Sequence, residues 1–434
     1  MIFVAFLKEL TKTLYKLDFN KTKLFYKRKL FMVGFDLITD IPTTNKTILL
    51  RCDFNVPLTD DGKIANDEKI VASLPTIKYL VKTGARVVIA THIGNPHGKF
   101  DQKLSTRVIY EYLNTHMMCD VYFCNDCIGE ATKREIFRAS YGDIVVLENL
   151  KFHIEEEKCD LNFARELSDG MNIYVNDCLS CSHLHYASIL GVPILIRPTS
   201  GITLNNELCL LQSVLSERHT TAIIGGNNFL SKIDLLNNLL DRVDNLILVG
   251  EIANTFLQVL GNNVGKSIRD IECDEIVANL FDKAKKRGCR IILPIDVVVA
   301  NEISSNSKTK VKLFNDISKN EIIVDLGEKT LSNIKNIVSS SKQVIWYGSA
   351  CISEVMSFSK GNIELCKIIA NETKKKNIRS VVGGKNVVAT IYNKKMQNNF
   401  SFISKSNQAF LQLISGKMLV GLEILHRLSS LANR

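Results

Sequence analysis

The sequence predicts an α/β protein in which two doubly wound parallel-sheet domains are joined by a hinge. Three observations support this prediction. Short runs rich in Val and Ile recur along the chain, helical patterns separate them, and the series occurs twice, on either side of a stretch at 191–214 where Gly and Pro cluster. Near-continuous apolar strands that alternate with helices are typical of parallel sheets covered by helices on both faces.

The strand-like runs give the order of elements in each half of the chain. In the first half they are TILLRCDF, ARVVIATH, DVYFCND, DIVVLEN and NIYVND. In the second half they are TTAIIGG, NLILVG, RIILPIDVVVA, QVIWYG, RSVVGG and FSFIS at 400–404. We therefore expect a basic extension at 1–31, a first domain at 32–200, a second domain at 201–414 and a C-terminal segment at 415–434.

The composition narrows the classes of protein that this chain can belong to. Its 434 residues, with 46% hydrophobic and 23% charged residues, suffice for two domains with full cores. We expect no membrane span, because no apolar run reaches the roughly 18 residues that a span needs. The net charge is +10, but eight Lys or Arg and two acidic residues fall within 1–31, so the rest is mildly basic. Charge alone therefore predicts no nucleic-acid partner.

Residues 1–31 are basic and partly amphipathic, and they admit more than one interpretation. They could form a targeting helix or a helix on a membrane surface. The alternative is an upstream start codon, with Met32 opening the protein. The segment has no cleavage signal of the Ala-x-Ala type and no basic region before its apolar start, which favours the second interpretation. Salt-sensitive binding of this segment to nucleic acid or an anionic membrane is a further hypothesis.

The twelve cysteines lack the spacing of a secreted disulfide scaffold, which indicates a reducing compartment and a cytoplasmic protein. Two C-x-x-C pairs, Cys124 with Cys127 and Cys178 with Cys181, offer four thiolates that could bind zinc. However, the pairs are about fifty residues apart, which does not match a zinc ribbon. Each pair also follows a strand-like run, where Cys is an ordinary small hydrophobe. We therefore predict no metal site in the protein itself.

Polar residues fall at the carboxyl ends of the predicted strands, where doubly wound sheets bind their ligands. In the first half they are Asp53, Asn55, His92, Glu148, Asn149, Lys151, His153, Asp177 and His183. In the second half they are Gly225, Gly226, Lys232, Asp296, Glu354 and the turn Gly383, Gly384, Lys385 and Asn386. Two Gly-Gly turns before helices suit an anion at the helix N-termini, most simply a nucleotide. Neither GxGxxG nor GxxxxGK[ST] is present, and each residue taken alone could simply cap a strand end.

At these residues the chain resembles the phosphoglycerate kinase family from about Val33 onward. The matching segments follow the family's order and are RCDFNVPL, GARVVIATHIGNPHGK, VVLENLKFHIEEE, YVNDCLSCSHLHYAS, GGNNFLSKIDLLNNLLDRVDNLILVGEIANTFL, LPIDVVVA, VIWYG and VVGGKNVVA. The resemblance implies an N-terminal domain that binds phosphoglycerate, a C-terminal domain that binds a nucleotide, and a last helix that returns to the first domain. It also implies a cytoplasmic monomer that closes around its ligands.

The implied reaction is the glycolytic transfer of a phosphoryl group between MgATP and 3-phosphoglycerate, which gives ADP and 1,3-bisphosphoglycerate. The implied substrate site consists of Asp53, Asn55, Lys69, His92 and Lys151. Lys69 and Lys151 stand where the family has arginines, so they keep the charge but lose the planar fork that grips phosphate. Asn95 and Leu184 also stand at arginine positions, and there the charge itself is lost.

The implied nucleotide site consists of Gly225, Gly226, Lys232, Glu354, Gly383, Gly384 and Asn386, with Mg²⁺ held by the nucleotide. Asn228 replaces a family lysine. Asn386 and Val387 replace an Asp-Thr pair, and SKSNQAF at 404–410 replaces a glycine-rich loop. Loss of one charge-stabilising donor costs on the order of 10² to 10³ in rate. Two hypotheses therefore stand, an active phosphoglycerate kinase and a catalytically impaired relative that serves as a binding or regulatory module.

Overall fold

The computed structural model describes residues 35–216 and 219–432, so the basic segment 1–31 lies outside it. Two parallel sheets of six strands confirm the predicted α/β fold. The first sheet has the order β3-β4-β2-β1-β5-β6. Its strands are β1 Thr47–Arg51, β2 Arg86–Ala90, β3 Val121–Phe123, β4 Ile144–Val146, β5 Ile173–Asn176 and β6 Arg197–Ser200. All five neighbouring pairs in this sheet are parallel.

Helices cover the first sheet and are separated from its strands by short loops. They are α1 Glu68–Lys82, α2 Arg107–His116, α3 Glu130–Arg138, α4 Ile154–Glu157, α5 Leu161–Ser168 and α6 Val192–Leu195. Local capping fixes some of their ends; the Asp160 side chain, for example, accepts the first backbone N–H groups of α5. Apolar residues of β1, β2, β4 and β5 pack against α1 and α2 in one buried cluster. This core holds the strand ends, and the polar residues that follow them, in place.

The second sheet has the order β15-β14-β13-β7-β8-β9, again with all neighbours parallel. Its strands are β7 Thr220–Ile224, β8 Asn245–Leu248, β9 Arg290–Ile292, β13 Gln343–Tyr347, β14 Arg379–Gly383 and β15 Phe402–Ile403. The helices of this half are α7 Ile202–Ser216, α8 Ile233–Leu240, α9 Gly250–Val259, α10 Asp274–Arg287, α11 Glu328–Ser339, α12 Lys360–Lys374, α13 Lys385–Asn393, α14 Asn407–Ile414 and α15 Val420–Ala432. In the described ranges no helix has both the length and the apolar character to cross a bilayer.

A third, antiparallel sheet departs from the prediction. It consists of β10 Asp296–Ala300, β11 Thr309–Leu313 and β12 Ile322–Leu326 in the order β11-β10-β12. The prediction of RIILPIDVVVA as one strand is wrong, because the chain leaves the second sheet after β9 and enters the third at β10. Pro294 between them has no N–H to continue a ladder. The sequence pattern also missed β11, whose residues are mostly exposed and alternate with lysines.

The last helix, α15, packs against β6 and α6 of the first half. The Gly421 N–H donates to the Ser182 carbonyl over 2.8 Å, and the Asp36 N–H donates to Ser429 Oγ over 3.3 Å. The last helix therefore packs against the first sheet. The domain limits at 200 and 414 stay predictions.

Candidate active site

Asp53, which follows β1, is held by an ion pair to the second residue of α1. Lys69 Nζ lies 2.7 Å from Asp53 Oδ2, and the Ser180 hydroxyl donates to the same oxygen. The other oxygen, Oδ1, accepts the N–H of Asn55 over 3.1 Å. Burial acts to raise the pKa of Asp53, but the Lys69 ammonium outweighs it, so this pKa lies well below its usual range. The carboxylate is therefore ionised and fixed in orientation.

Asn55 and His92 join the loops that follow β1 and β2. Asn55 Oδ1 accepts the N–H of Gly94 over 2.9 Å, which ties the two loops together. His92 is buried, and its Nδ1 lies 3.5 Å from the guanidinium of Arg51. Burial first, and the Arg51 charge second, lower the pKa of His92 to about 3. At neutral pH His92 therefore offers a neutral hydrogen-bonding ring and no positive charge.

Arg51, the last residue of β1, was missed as a functional candidate. Its side chain is 1% exposed, its Nε donates to Ser188 Oγ over 2.9 Å, and its guanidinium also donates to the Cys52 carbonyl. A carboxyl oxygen of Glu156 lies 4.0 Å from the same guanidinium. These contacts fix the position of the last residue of β1. The signal in the sequence was an arginine inside an otherwise apolar run.

Lys151 is the second cation near this strand end, and its charge is compensated inside the protein. Its Nζ lies 2.9 Å from Asn95 Oδ1 and 3.2 Å from Glu157 Oε1. The Tyr186 ring centre lies 5.3 Å from the same nitrogen, close enough for a cation–π contact. Asn95, at an arginine position of the family, therefore binds Lys151 and adds no charge of its own.

Leu184, the other position where the family's arginine is lost, packs in a small apolar cluster with Cys178, Cys181 and Ile189.

The thiols of both C-x-x-C pairs are buried. Within the described chain, the group with the spacing of metal ligands is Asp126, Cys127 and His153, and not a set of four thiolates. His153 Nε2 lies 2.6 Å from Asp126 Oδ1, so these two side chains already form a hydrogen bond with each other.

Several other polar residues at strand ends bind the backbone. The Glu148 carboxylate accepts the N–H groups of Thr106 and Asn149, and Asn149 Nδ2 donates to the Ile93 carbonyl. Asp177 Oδ1 accepts the Leu204 N–H over 3.0 Å. Asp296 opens β10 and accepts the backbone N–H groups of residues 329 and 330 in the first turn of α11. His183 is half-buried, and burial lowers its pKa. Hydrogen bonds to the backbone therefore account for the polar side chains of Glu148, Asn149, Asp177 and Asp296.

On the other side of the molecule, Gly225 and Gly226 lie between the end of β7 and the turn after β13. The Gly225 N–H donates to the Tyr347 carbonyl over 2.9 Å, and the Gly226 N–H donates to the Ser349 carbonyl over 2.7 Å. A Cβ on Gly225 would lie 2.3 Å from the Ser349 carbonyl oxygen, so the close approach requires glycine. Protein carbonyls therefore already accept the N–H groups of the two glycines, and the predicted anion would be bound by the amides at the start of the helix that follows.

Lys232 is buried in its own loop. Its ammonium donates to the Asn227 carbonyl and lies 3.4 Å from the Asn228 carbonyl oxygen. Burial lowers the pKa of Lys232, while the charges of Glu251 and Asp270 oppose this change. Asn228 has a left-handed φ of 56°, and its Oδ1 accepts the Ser231 N–H over 3.0 Å. The loop thus contains one lysine, and its ammonium must exchange carbonyls for phosphate oxygens before it can bind them.

The turn after β14 brings Gly383, Gly384 and Asn386 next to the turn after β13. A Cβ on Gly384, whose φ is 97°, would lie 3.1 Å from the Gly348 nitrogen. Asn386 Nδ2 donates to Ser353 Oγ over 2.6 Å, and the neighbouring Glu354 is exposed. Lys385, the first residue of α13, is also exposed. The two predicted Gly-Gly segments therefore lie at the same edge of one sheet, at the ends of β7 and β14, the two strands that flank β13.

A small cavity of about 30 Å³ lies next to Gly226 and the turn after β13. Its walls combine glycine backbone at Gly226 and Gly250, the apolar side chains Val297, Ile323, Val324, Leu326 and Ile352, and the polar groups of Glu251, Asn254 and Ser349. Ligand pockets commonly have such mixed walls but volumes of roughly 300 to 1,000 Å³, so this cavity would have to widen before it could hold an aromatic base.

A larger cleft of about 560 Å³ is lined by residues from both halves of the chain, among them Asp53, Lys69 and Lys405. Lys405 Nζ lies 2.8 Å from Glu68 Oε2, so an ion pair crosses this cleft. Nearby, Glu207 of α7 accepts hydrogen bonds from the hydroxyls of Ser404 and Ser406. The two halves of the chain are thus connected by contacts around α7.

The chain matches the model of the phosphoglycerate kinase family over residues 38–417. It is 38% identical over 398 residues to the phosphoglycerate kinase of Orientia tsutsugamushi strain Ikeda, which covers 91% of this chain and 98% of the relative. It is 34% identical over 385 residues to that of Aquifex aeolicus strain VF5, which covers 88% of this chain and 96% of the relative. The structure of phosphoglycerate kinase from Coxiella burnetii superposes with a TM-score of 0.81 at 31% identity, over 91% of this chain and 99% of that one.

These matches cover both sheets and the cleft between the two halves. Nothing in them favours the alternative of a catalytically impaired binding module. The chain therefore belongs to the phosphoglycerate kinase family and is a phosphotransferase of that type.

Proposed function

We propose that this chain catalyses reversible phosphoryl transfer between MgATP and 3-phosphoglycerate, with the first domain binding the acid and the second binding the nucleotide. The observation that carries the proposal is the position of the Asp53–Lys69 pair on the wall of a cleft that the opposite half of the chain also lines. A reaction between two bound ligands requires such facing sites, because transfer depends on positioning and on stabilisation of charge.

On the acid side, the ionised Asp53 orients a substrate hydroxyl, since its carboxylate is fixed by Lys69 and Ser180. Lys69 and Lys151 supply positive charge. His92, neutral at physiological pH, offers a hydrogen bond to an oxygen of the acid. Asn55 acts through Gly94, because its side chain fixes the loop that carries the following residues.

On the nucleotide side, Gly226 and the turn at Gly383, Gly384 and Asn386 lie at the carboxyl ends of strands of one sheet, the edge at which such sheets bind their ligands. Lys232 is the cation of this loop. Mg²⁺ bound to the phosphates neutralises part of their charge, and it typically takes one or two protein carboxylates in addition. Glu354 fits that requirement better than the amide of Asn386, because it is an exposed carboxylate. It also lies close to Glu251, whose pKa is raised first by burial and second by the charge of Glu354.

We further infer that the protein acts in glycolysis as a cytoplasmic monomer. All the cysteines in the described ranges have free thiols, and most are buried, which supports a reducing compartment.

A coupled assay of purified protein with MgATP and 3-phosphoglycerate tests the proposal. Replacement of Lys232 by Ala should reduce kcat by about 10² to 10³, the cost of one charge-stabilising donor. Lys367→Ala is the matched control, because Lys367 is exposed on α12 and pairs with Glu364 of the same helix. Absence of turnover from folded unmodified protein would contradict the proposal and would revive the binding-module hypothesis.

A further inference from the structure

Lys405 is a cation of the second half of the chain that reaches the acid-binding side of the cleft. It lies in the loop between β15 and α14, within the segment SKSNQAF that replaces the family's glycine-rich loop. Its ammonium pairs with Glu68, the first residue of α1, and Lys69 is the next residue of that helix. The Lys405 side chain is 29% exposed, so it is accessible to a ligand in the cleft.

The acid side offers little uncompensated positive charge of its own. Among the described residues around Asp53, the charge of Lys69 is paired with Asp53 itself and that of Lys151 with Glu157. Arg51 is buried against Glu156, and His92 is neutral at physiological pH. A phosphorylated carboxylic acid carries a carboxylate and a phosphate of about −1.5 to −2 at neutral pH. Because Lys69 and Lys151 are already paired with carboxylates, a further cation near these described residues would strengthen the binding of such an anion.

The partner of Lys405 can release it without being left unpaired. Tyr392, which lines the same cleft, donates a hydrogen bond to Glu68; burial first and this carboxylate second raise the pKa of its hydroxyl. Glu68 is itself 31% exposed, so water can replace the ammonium. A partly exposed ion pair contributes little to stability, typically below about 1 kcal/mol. Exchange of Glu68 for a substrate anion therefore costs little free energy.

We propose that Lys405 is a substrate-binding residue, whose ammonium leaves Glu68 and binds the anionic oxygens of the phosphorylated acid held at Asp53 and Lys69. It supplies from across the cleft the charge that the chain lost at Asn95 and Leu184. This inference rests on the proposed function, since it assigns a further residue to the same substrate. The competing interpretation is a latch, in which the Lys405–Glu68 pair merely holds the two halves of the chain together.

Kinetics of Lys405→Ala and Glu68→Gln separate the two interpretations, with Lys367→Ala as the control for loss of a surface lysine. If Lys405 binds the substrate, Lys405→Ala raises the KM for 3-phosphoglycerate by about 10- to 100-fold, the value of a charged hydrogen bond, and leaves the KM for MgATP within about twofold. Glu68→Gln should leave the KM for the acid unchanged or lower it, because it frees the ammonium. Lys405→Arg should retain most of the affinity.

Equal effects of Lys405→Ala and Glu68→Gln on both KM values would overturn the inference in favour of the latch. An unchanged KM for the acid in Lys405→Ala would overturn it as well. Calorimetric titration of the unmodified protein and of Lys405→Ala with 3-phosphoglycerate keeps this test separate from that of turnover. Binding that is lost in the variant supports the role of Lys405 even if the unmodified protein does not turn over, whereas equal binding overturns it.

Discussion

Lys69 and Asp53 form an ion pair with a distance of 2.7 Å between Nζ and Oδ2, at the point where β1 and α1 approach the cleft. According to the sequence resemblance, Lys69 stands where the family has an arginine, and Asp53 stands where the family has the same aspartate. Burial acts to raise the pKa of Asp53, but the charge of Lys69 outweighs this effect, so the pKa is lower than usual. If Lys69 binds the substrate as proposed, one side chain sets both the substrate affinity and the ionisation of Asp53.

Replacement of Lys69 by Ala should weaken binding of the acid and shift the acidic limb of the pH–rate profile to higher pH. Without the ammonium, burial raises the pKa of Asp53, so the carboxylate becomes protonated at a pH where it is ionised in the unmodified protein. We expect kcat/KM for 3-phosphoglycerate to fall by about 10²-fold. Lys82→Ala, at the exposed far end of α1, is the control. An unshifted acidic limb in Lys69→Ala would contradict this prediction.

Replacement of Asn228 by Lys should raise turnover and lower stability. The new ammonium restores a cation at the position where the family has one, which is worth about tenfold or more in kcat. Asn228 has a left-handed φ of 56°, which asparagine tolerates better than lysine, and its side chain accepts the Ser231 N–H. Lysine at this position should therefore lower the free energy of unfolding by about 1 kcal/mol. Turnover assays and urea unfolding measure the two effects. Asn228→Ala should lose the stability without any gain in turnover, and equal turnover of the two variants would refute the argument.

Replacement of Gly225 by Ala should lower the free energy of unfolding by about 1 to 3 kcal/mol, because the added methyl group has no space. It would lie 2.3 Å from the Ser349 carbonyl oxygen and 2.8 Å from a methyl group of Val249. Gly288→Ala is a useful comparison, since its Cβ would meet nothing within 4 Å and its φ of 71° alone disfavours alanine. Urea denaturation should show the larger loss for Gly225→Ala; the reverse order would contradict the packing argument.

The stability of the protein should fall as the pH rises through the range in which Glu207 ionises. Burial raises the pKa of Glu207 from 4.5 to about 7, and its oxygen accepts from Ser404 and Ser406. A carboxyl group with a raised folded-state pKa stabilises the fold below its unfolded pKa and loses that contribution as the pH approaches 7. The loss is at most about 3 kcal/mol, and less because the side chain is half-buried.

Glu207→Gln should reduce this pH dependence, since the amide does not ionise. Urea unfolding of both proteins between about pH 4.5 and pH 7 gives the difference in slope. Asp325, whose pKa burial raises to about 7, contributes the same slope to both proteins and is the internal reference. Identical slopes for the two proteins would show that Glu207 does not ionise in this range.

The sequence by itself determined the class of fold and the positions of most strand ends. Runs such as TILLRCDF are local signals, because a strand buried on both faces must be apolar along its length. The same local signals placed Asp53 and Asn55 after β1, Lys151 after β4 and the two Gly-Gly segments after β7 and β14. The resemblance to one family followed from the order of these segments.

The tertiary structure decided which partner each of these side chains has. Lys151 pairs with Glu157, Asp296 caps α11, and Lys405 reaches Glu68 across the cleft, and in no case does the local sequence name the partner. The third sheet was missed for the same reason, because β10 and β12 become neighbours only after the chain folds back. Charge compensation acts over a few ångströms in space. Packing of the whole chain, and not the distance along the sequence, sets which charges come that close.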